Sequence, residues 1–74
     1  MTVTELKDFL EVSGIPDALY NFEANGKEDD GRVSMMQFGK RWRVYLKENG
    51  IKRIDEFFES EEEACDFFYK QLID

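Results

Sequence analysis

Helix punctuation at the two ends of the chain constrains the fold more than any other feature. Thr2-Val3-Thr4-Glu5 fits a capping box, with the Thr2 hydroxyl placed to accept from the Glu5 amide and the Glu5 carboxylate placed to reach back to the Thr2 N–H. Gly14-Ile15-Pro16 is a stop: Gly14 suits the left-handed position after a helix, Ile15 can fold back onto the last turn, and Pro16 blocks continuation. Ser60-Glu61-Glu62-Glu63 is a second capping box, and its three carboxylates sit in a first turn where the helix dipole favours them. One helix is therefore expected before residue 14 and another after residue 60. Any sheet must come from the stretch between them.

Periodicity supports both helices. Val3, Leu6, Phe9, Leu10 and Ser13 fall on one face at about 100° per residue, and Ala64, Cys65, Phe68, Tyr69 and Leu72 do so in the second helix, with Phe67 off that stripe. Between them, Pro16 opens a short turn over Asp17 to Leu19, and the weak alternation from Leu19 to Ala24 predicts a short strand. Asn25-Gly26 and Asp30-Gly31 punctuate an acidic loop. Arg32 to Phe38 and Arg41 to Lys47 are β-rich runs separated by Gly39-Lys40, which reads as a hairpin. In its second run Trp42, Val44 and Leu46 share the buried face, and Arg43, Tyr45 and Lys47 share the other. Asn49-Gly50 is a further turn, followed by a charged, edge-like strand from Ile51 to Phe58. The expected fold is one α+β domain spanning residues 1–74. It has an N-terminal helix, a three- to four-stranded antiparallel meander and a C-terminal helix, with both helices on one sheet face. The opposite face is expected to be open.

Composition excludes most chemistry. Seventy-four residues leave no room for a second core, and eleven aromatics (seven Phe, three Tyr, one Trp) supply the bulk for one. With no histidine and a single cysteine, the chain has no imidazole base, no internal disulfide and no multi-thiolate metal site. Cys65 lies on the apolar stripe of its helix, where a small buried hydrophobe is expected rather than a nucleophile. Adjacent carboxylates such as Asp29 and Asp30, or Glu61 to Glu63, do not match the separated pair that acid and base catalysis across a cleft requires. The acidic loop echoes a calcium-binding loop but fails on counting. With Gly31 at the sixth position, Asp30 and Glu28 take positions five and three, while Gly26 and Gln37 occupy the first and twelfth, where carboxylates are needed. The chain is thus expected to be no enzyme and to hold no cofactor. No apolar run approaches a membrane span, and the acidic, amphipathic start is unlike a signal peptide, so the expected location is the cytoplasm.

The formal net charge of -7 is unevenly distributed. Residues 1–31 carry eight acids and two bases, residues 32–53 one acid and seven bases, and residues 54–74 eight acids and one base. An acidic chain is poorly suited to nonspecific nucleic-acid binding. The central block still offers an alternative function, a small nucleic-acid-associated or regulatory module, because Arg41, Arg43, Lys47 and Arg53 interleave with Trp42 and Tyr45. Acidic helices at both ends suit a basic protein partner instead, such as a nuclease-type domain that must be kept off nucleic acid. The exposed edge at residues 51–58 also leaves room for a homodimer.

Several short motifs carry a family resemblance. Gly14-Ile15-Pro16 with Leu19-Tyr20, then Trp42-Arg43-Val44-Tyr45 with Glu48-Asn49-Gly50, then Phe57 or Phe58 with Ser60-Glu61-Glu62-Glu63-Ala64-Cys65, is similar to small bacterial immunity proteins, the partners of polymorphic or contact-dependent toxins. The resemblance runs from about Leu6 to Leu72. The family pattern closes its aromatic strand with Glu-Arg-Gly, where this chain has Asn49 in the middle. The resemblance implies a protein that binds one cognate toxin and blocks it without catalysis. The residues expected to contact that partner are Asp29, Asp30, Arg43, Tyr45, Lys47, Glu48, Glu62, Asp66 and Phe67.

Overall fold

A computed structural model describes residues 1–22 and 30–73. Helix α1 spans Val3–Val12, a short 3-10 turn spans Asp17–Leu19, and strands β1 (Tyr20–Asn21), β2 (Val33–Phe38), β3 (Arg41–Glu48) and β4 (Ile51–Phe58) precede helix α2 (Glu61–Ile73). The α+β arrangement is the expected one. The end of the predicted first strand, the Asn25-Gly26 turn and the Gly26 and Glu28 positions of the calcium-loop count lie outside the described residues.

Both ends of α1 form as the punctuation requires. Thr2 Oγ1 accepts from the Glu5 amide at 3.2 Å, and Glu5 Oε1 accepts from the Thr2 amide at 2.9 Å. At the other end the Ile15 amide donates to the Leu10 carbonyl and the Gly14 amide to the Glu11 carbonyl, with Gly14 at φ 71, so two carbonyls that the helix leaves open are satisfied. The second box closes differently. Ser60 Oγ accepts from the Glu63 amide at 3.2 Å and donates its own proton to the Glu63 carboxylate at 3.0 Å.

The sheet order is β1-β2-β3-β4. Strands β2, β3 and β4 form the expected antiparallel meander, but β1 pairs with β2 in parallel, Tyr20 against Val33 and Asn21 against Ser34. The sheet is therefore mixed and not wholly antiparallel. A parallel pair needs a crossover connection instead of a tight turn, and the stretch between Asn21 and Val33 is long enough to supply one. Asn49 and Gly50 both have positive φ, 54 and 78, as a two-residue I′ turn between β3 and β4 demands.

One face of the sheet meets both helices. Val33, Met35 and Val44 pack with Leu6 and Leu10 of α1 and Ala64, Cys65 and Phe68 of α2, all buried, and Trp42, Leu46 and Phe58 flank them. Phe68 is the centre of this core: it stacks on Phe22 at 5.0 Å between centroids and meets Tyr20 edge-on at 6.4 Å. Fully burying a side chain of that size stabilises the fold by about 1.5–3 kcal/mol. The helices lie side by side and run the same way. The Val3 amide donates to Glu61 Oε2 at 2.9 Å near both helix starts, and Phe9 meets Tyr69 at 6.2 Å further along.

Candidate functional site

The outward side of the helical layer and the outward face of the sheet differ in sign, and each was expected to carry partner contacts. On α1, Glu5, Asp8, Phe9 and Val12 recur at helical spacing along the flank that faces α2, and they line a shallow concavity of about 260 Å³. On α2, Glu62, Asp66, Tyr69 and Ile73 recur at the same spacing along the flank that faces α1, a placement fixed by the Phe9 and Tyr69 contact. Phe9 is 49% exposed and Val12 87% exposed. Phe9 is therefore not the core residue that its periodicity implied. Leu6 and Leu10 fill the interior, which displaces Phe9 onto the seam between the helices. The concavity has an apolar floor of Phe9 and Val12 with the Glu5 and Asp8 carboxylates beside them; across the seam Glu62 and Asp66 share an i, i+4 row with Lys70, and Lys7 projects from another flank, over Phe22.

The Cys65 thiol sits beneath this surface. It is pushed up to about 11 by burial first, and then by the negative charge of Glu61, Asp66 and Glu5. The thiol is protonated and enclosed, so it serves as packing. Glu5 keeps its charge readily, because the Thr2 backbone and side-chain hydrogen bonds hold its carboxyl below the usual value. Among the described residues no group of three or more His, Cys, Asp or Glu side chains is arranged to hold a metal ion. No helix among them is long and apolar enough to cross a membrane.

The outer sheet face carries the opposite charge. Phe38 and Phe57, each 46% exposed, lie 6.2 Å apart, with the Arg41 guanidinium over Phe57 at 4.9 Å and the Arg43 guanidinium over Tyr45 at 4.8 Å. These cations are already engaged. Arg43 donates to both oxygens of Asp55, at 2.7 and 2.9 Å, which holds the Asp55 carboxyl below its ordinary range, and Arg41 meets Glu59 at 3.4 Å.

The nine expected contact residues do not converge on one site. Glu62 and Asp66 stand on the α2 flank of the groove. Arg43 and Lys47 are half-buried on the outer sheet face, and Glu48 is exposed at the end of β3. Tyr45, expected on an open face, is only 3% exposed beside the fully buried Ser34. It is a packed residue, not an accessible contact. Phe67 packs its ring on Phe58 at 5.2 Å, so its place off the stripe reflects contact with β4 rather than an exposed anchor. Asp30 is a staple: its carboxylate accepts from the amides of Asn49 and Gly50 at 3.0 and 2.9 Å, tying the acidic loop to the β3–β4 turn. Asp29 lies outside the described residues. Sequence reasoning missed Glu5, Asp8, Phe9 and Val12 as groove residues, although their helical spacing was visible.

No protein-family model, no curated protein and no solved structure matches this chain. The resemblance to immunity proteins rests on the quoted motifs alone, and the functional argument rests on the two faces.

Proposed function

We propose that this chain is a non-enzymatic immunity protein that neutralises a bacterial toxin domain by seating a basic, apolar-studded segment of it in the groove between α1 and α2. The observation that carries the reading is the groove itself. Glu5 and Asp8 line it beside Phe9 and Val12, which remain exposed, and Glu62 and Asp66 stand exposed on the same side of α2 as Tyr69, the residue that meets Phe9. Exposed aromatic and aliphatic side chains flanked by one sign of charge suit a partner of opposite sign: the apolar floor supplies affinity, and the carboxylates steer the approach and set the register. Each rim contact contributes about 1 kcal/mol at surface dielectric, so the salt dependence of association should be strong. The proposed place of action is the cytoplasm.

The test is growth rescue. Cells producing the C-terminal domain of the protein encoded immediately upstream are scored with and without this chain. Survival only in its presence supports the reading; a harmless neighbour, or death regardless, counts against it.

The outer sheet face favours a second reading, because Phe38 and Phe57 stand exposed beside Arg41. Such a surface can stack the bases of a single strand. That reading requires oligonucleotide binding that weakens steeply as salt rises. An immunity protein leaves the oligonucleotide unbound.

A further inference from the structure

A second concavity opens on another flank of α1, where the starts of both helices approach β2 and β3, and it shares no residue with the proposed groove. Its volume is about 270 Å³. Pockets for drug-sized ligands begin at roughly 300 Å³, so this one suits a molecule the size of a single amino acid. Phe22, Met35 and Trp42 supply its apolar lining, with Met35 buried and both rings half-buried.

Three polar side chains share this lining, and they carry one charge of each sign: Lys7 from α1, Glu61 from α2 and the neutral Gln37 from β2. Lys7 and Glu61 form no ion pair with each other or with any other described residue. The Lys7 ammonium lies over the Phe22 ring, 5.2 Å from its centre. Glu61 Oε2 accepts from the Val3 amide at 2.9 Å, and its second oxygen has no partner among the described residues. The Gln37 side-chain amide and the Trp42 indole N–H make no hydrogen bond among them either.

We propose that this pocket binds a free aromatic α-amino acid as its zwitterion. The Lys7 ammonium takes the α-carboxylate, the second Glu61 oxygen takes the α-ammonium, and the ring lies against Trp42 and Phe22. A cation and a carboxylate that line one pocket without meeting suit a ligand that carries the complementary pair. A ligand of single charge would satisfy one of them and be repelled by the other. Met35 adds a thioether, which makes favourable contact with an aromatic ring. A residue inside a peptide lacks the charged pair, because its α-amino and α-carboxyl groups are amides, so the ligand is the free amino acid.

The experiment is a titration of the full chain with L-phenylalanine. Trp42 is the only tryptophan, so its fluorescence and its indole N–H resonance report on the pocket directly. The expected result is a saturable change in Trp42 emission, shifts of the Trp42 indole and Gln37 side-chain amide signals in heteronuclear NMR, and a rise in Tm with ligand concentration. Phenylacetate, which lacks the ammonium, and phenethylamine, which lacks the carboxylate, should each bind weaker by about tenfold or more. Lys7→Gln and Glu61→Gln should each weaken phenylalanine by about the same factor. The second variant keeps an oxygen for the Val3 amide, and circular dichroism and melting check both folds; if it melts early, Lys7→Gln and the two analogues decide. No saturable change up to roughly 10 mM phenylalanine overturns the proposal. So does either analogue binding as tightly as phenylalanine, a folded variant that binds as wild type does, or NMR shifts that leave Trp42 and Gln37 unmoved.

Discussion

Replacing Asp30 with alanine removes an acceptor from two amides at once, those of Asn49 and Gly50, at 3.0 and 2.9 Å. Hydrogen bonds to a charged acceptor contribute about 1.5–3 kcal/mol each where water is excluded. Asp30 and the turn are exposed, so water takes over part of the role, and about 1 kcal/mol per bond is the appropriate figure. The expected loss is about 2 kcal/mol. A chain of this length has roughly 4–11 kcal/mol of total stability, so the loss is a large fraction of it, and Tm should fall by on the order of 10 °C. Asp30→Asn keeps one acceptor oxygen and loses the charge, and should sit between wild type and Asp30→Ala. Urea unfolding followed by tryptophan fluorescence gives both values, with an unchanged m-value showing that the effect lies in the native state. If Asp30→Ala unfolds within about 0.3 kcal/mol of wild type, the carboxylate does not hold the turn and the reasoning fails.

Phe68→Ala should cost about 3–5 kcal/mol, because the ring is fully buried between Phe22, Tyr20 and both helices, and calorimetry should find the variant largely unfolded at 37 °C. Phe67→Ala, on a half-buried ring against Phe58, should cost clearly less. The Arg43 hydrogen bonds hold the Asp55 carboxyl below its ordinary value of 3.8, so their contribution is present above that pH and is lost as pH falls through the lowered value. Stability curves of wild type and Arg43→Gln should therefore be separated at pH 6 and converge in acid once the pH falls through the lowered Asp55 value, by urea unfolding at each pH. The Cys65 thiol, raised to about 11 and enclosed, should react with a thiol reagent at pH 8 only as fast as the chain opens, and mild urea should accelerate the reaction.

The helix ends were legible because their signals are local. Thr2 with Glu5, Gly14 with Ile15, and Ser60 with Glu63 each lie within one turn of the groups they satisfy. The hairpins were legible for the same reason, since Gly39-Lys40 and Asn49-Gly50 fix their own dihedrals and thereby the register of their flanking strands. What the sequence hid depends on distant partners. The parallel pairing of Tyr20 with Val33, the bonds of Asp30 to a turn about twenty positions away, and the packing of Phe67 on Phe58 have no signature in the residues beside them. Phe9 shows the limit of periodicity. Its angle on the helix wheel differs little from that of a core residue, and only the position of α2 decides that its ring meets Tyr69 at the seam. Glu62 and Asp66 were expected contacts, but nothing local says that their side of α2, the side of Tyr69, meets α1 at Phe9.

The most direct test of the groove as the neutralising surface is growth rescue by two opposed variants. Asp8→Lys with Glu62→Lys and Asp66→Lys reverses the groove, and Arg41→Gln with Phe57→Ala alters the outer sheet face; both sets lie on exposed positions. Against the toxin domain encoded upstream, the sheet-face variant should protect as wild type does, while the groove variant, folded by circular dichroism, should leave cells unprotected. Protection by the groove variant together with its loss in the sheet-face variant would contradict the account.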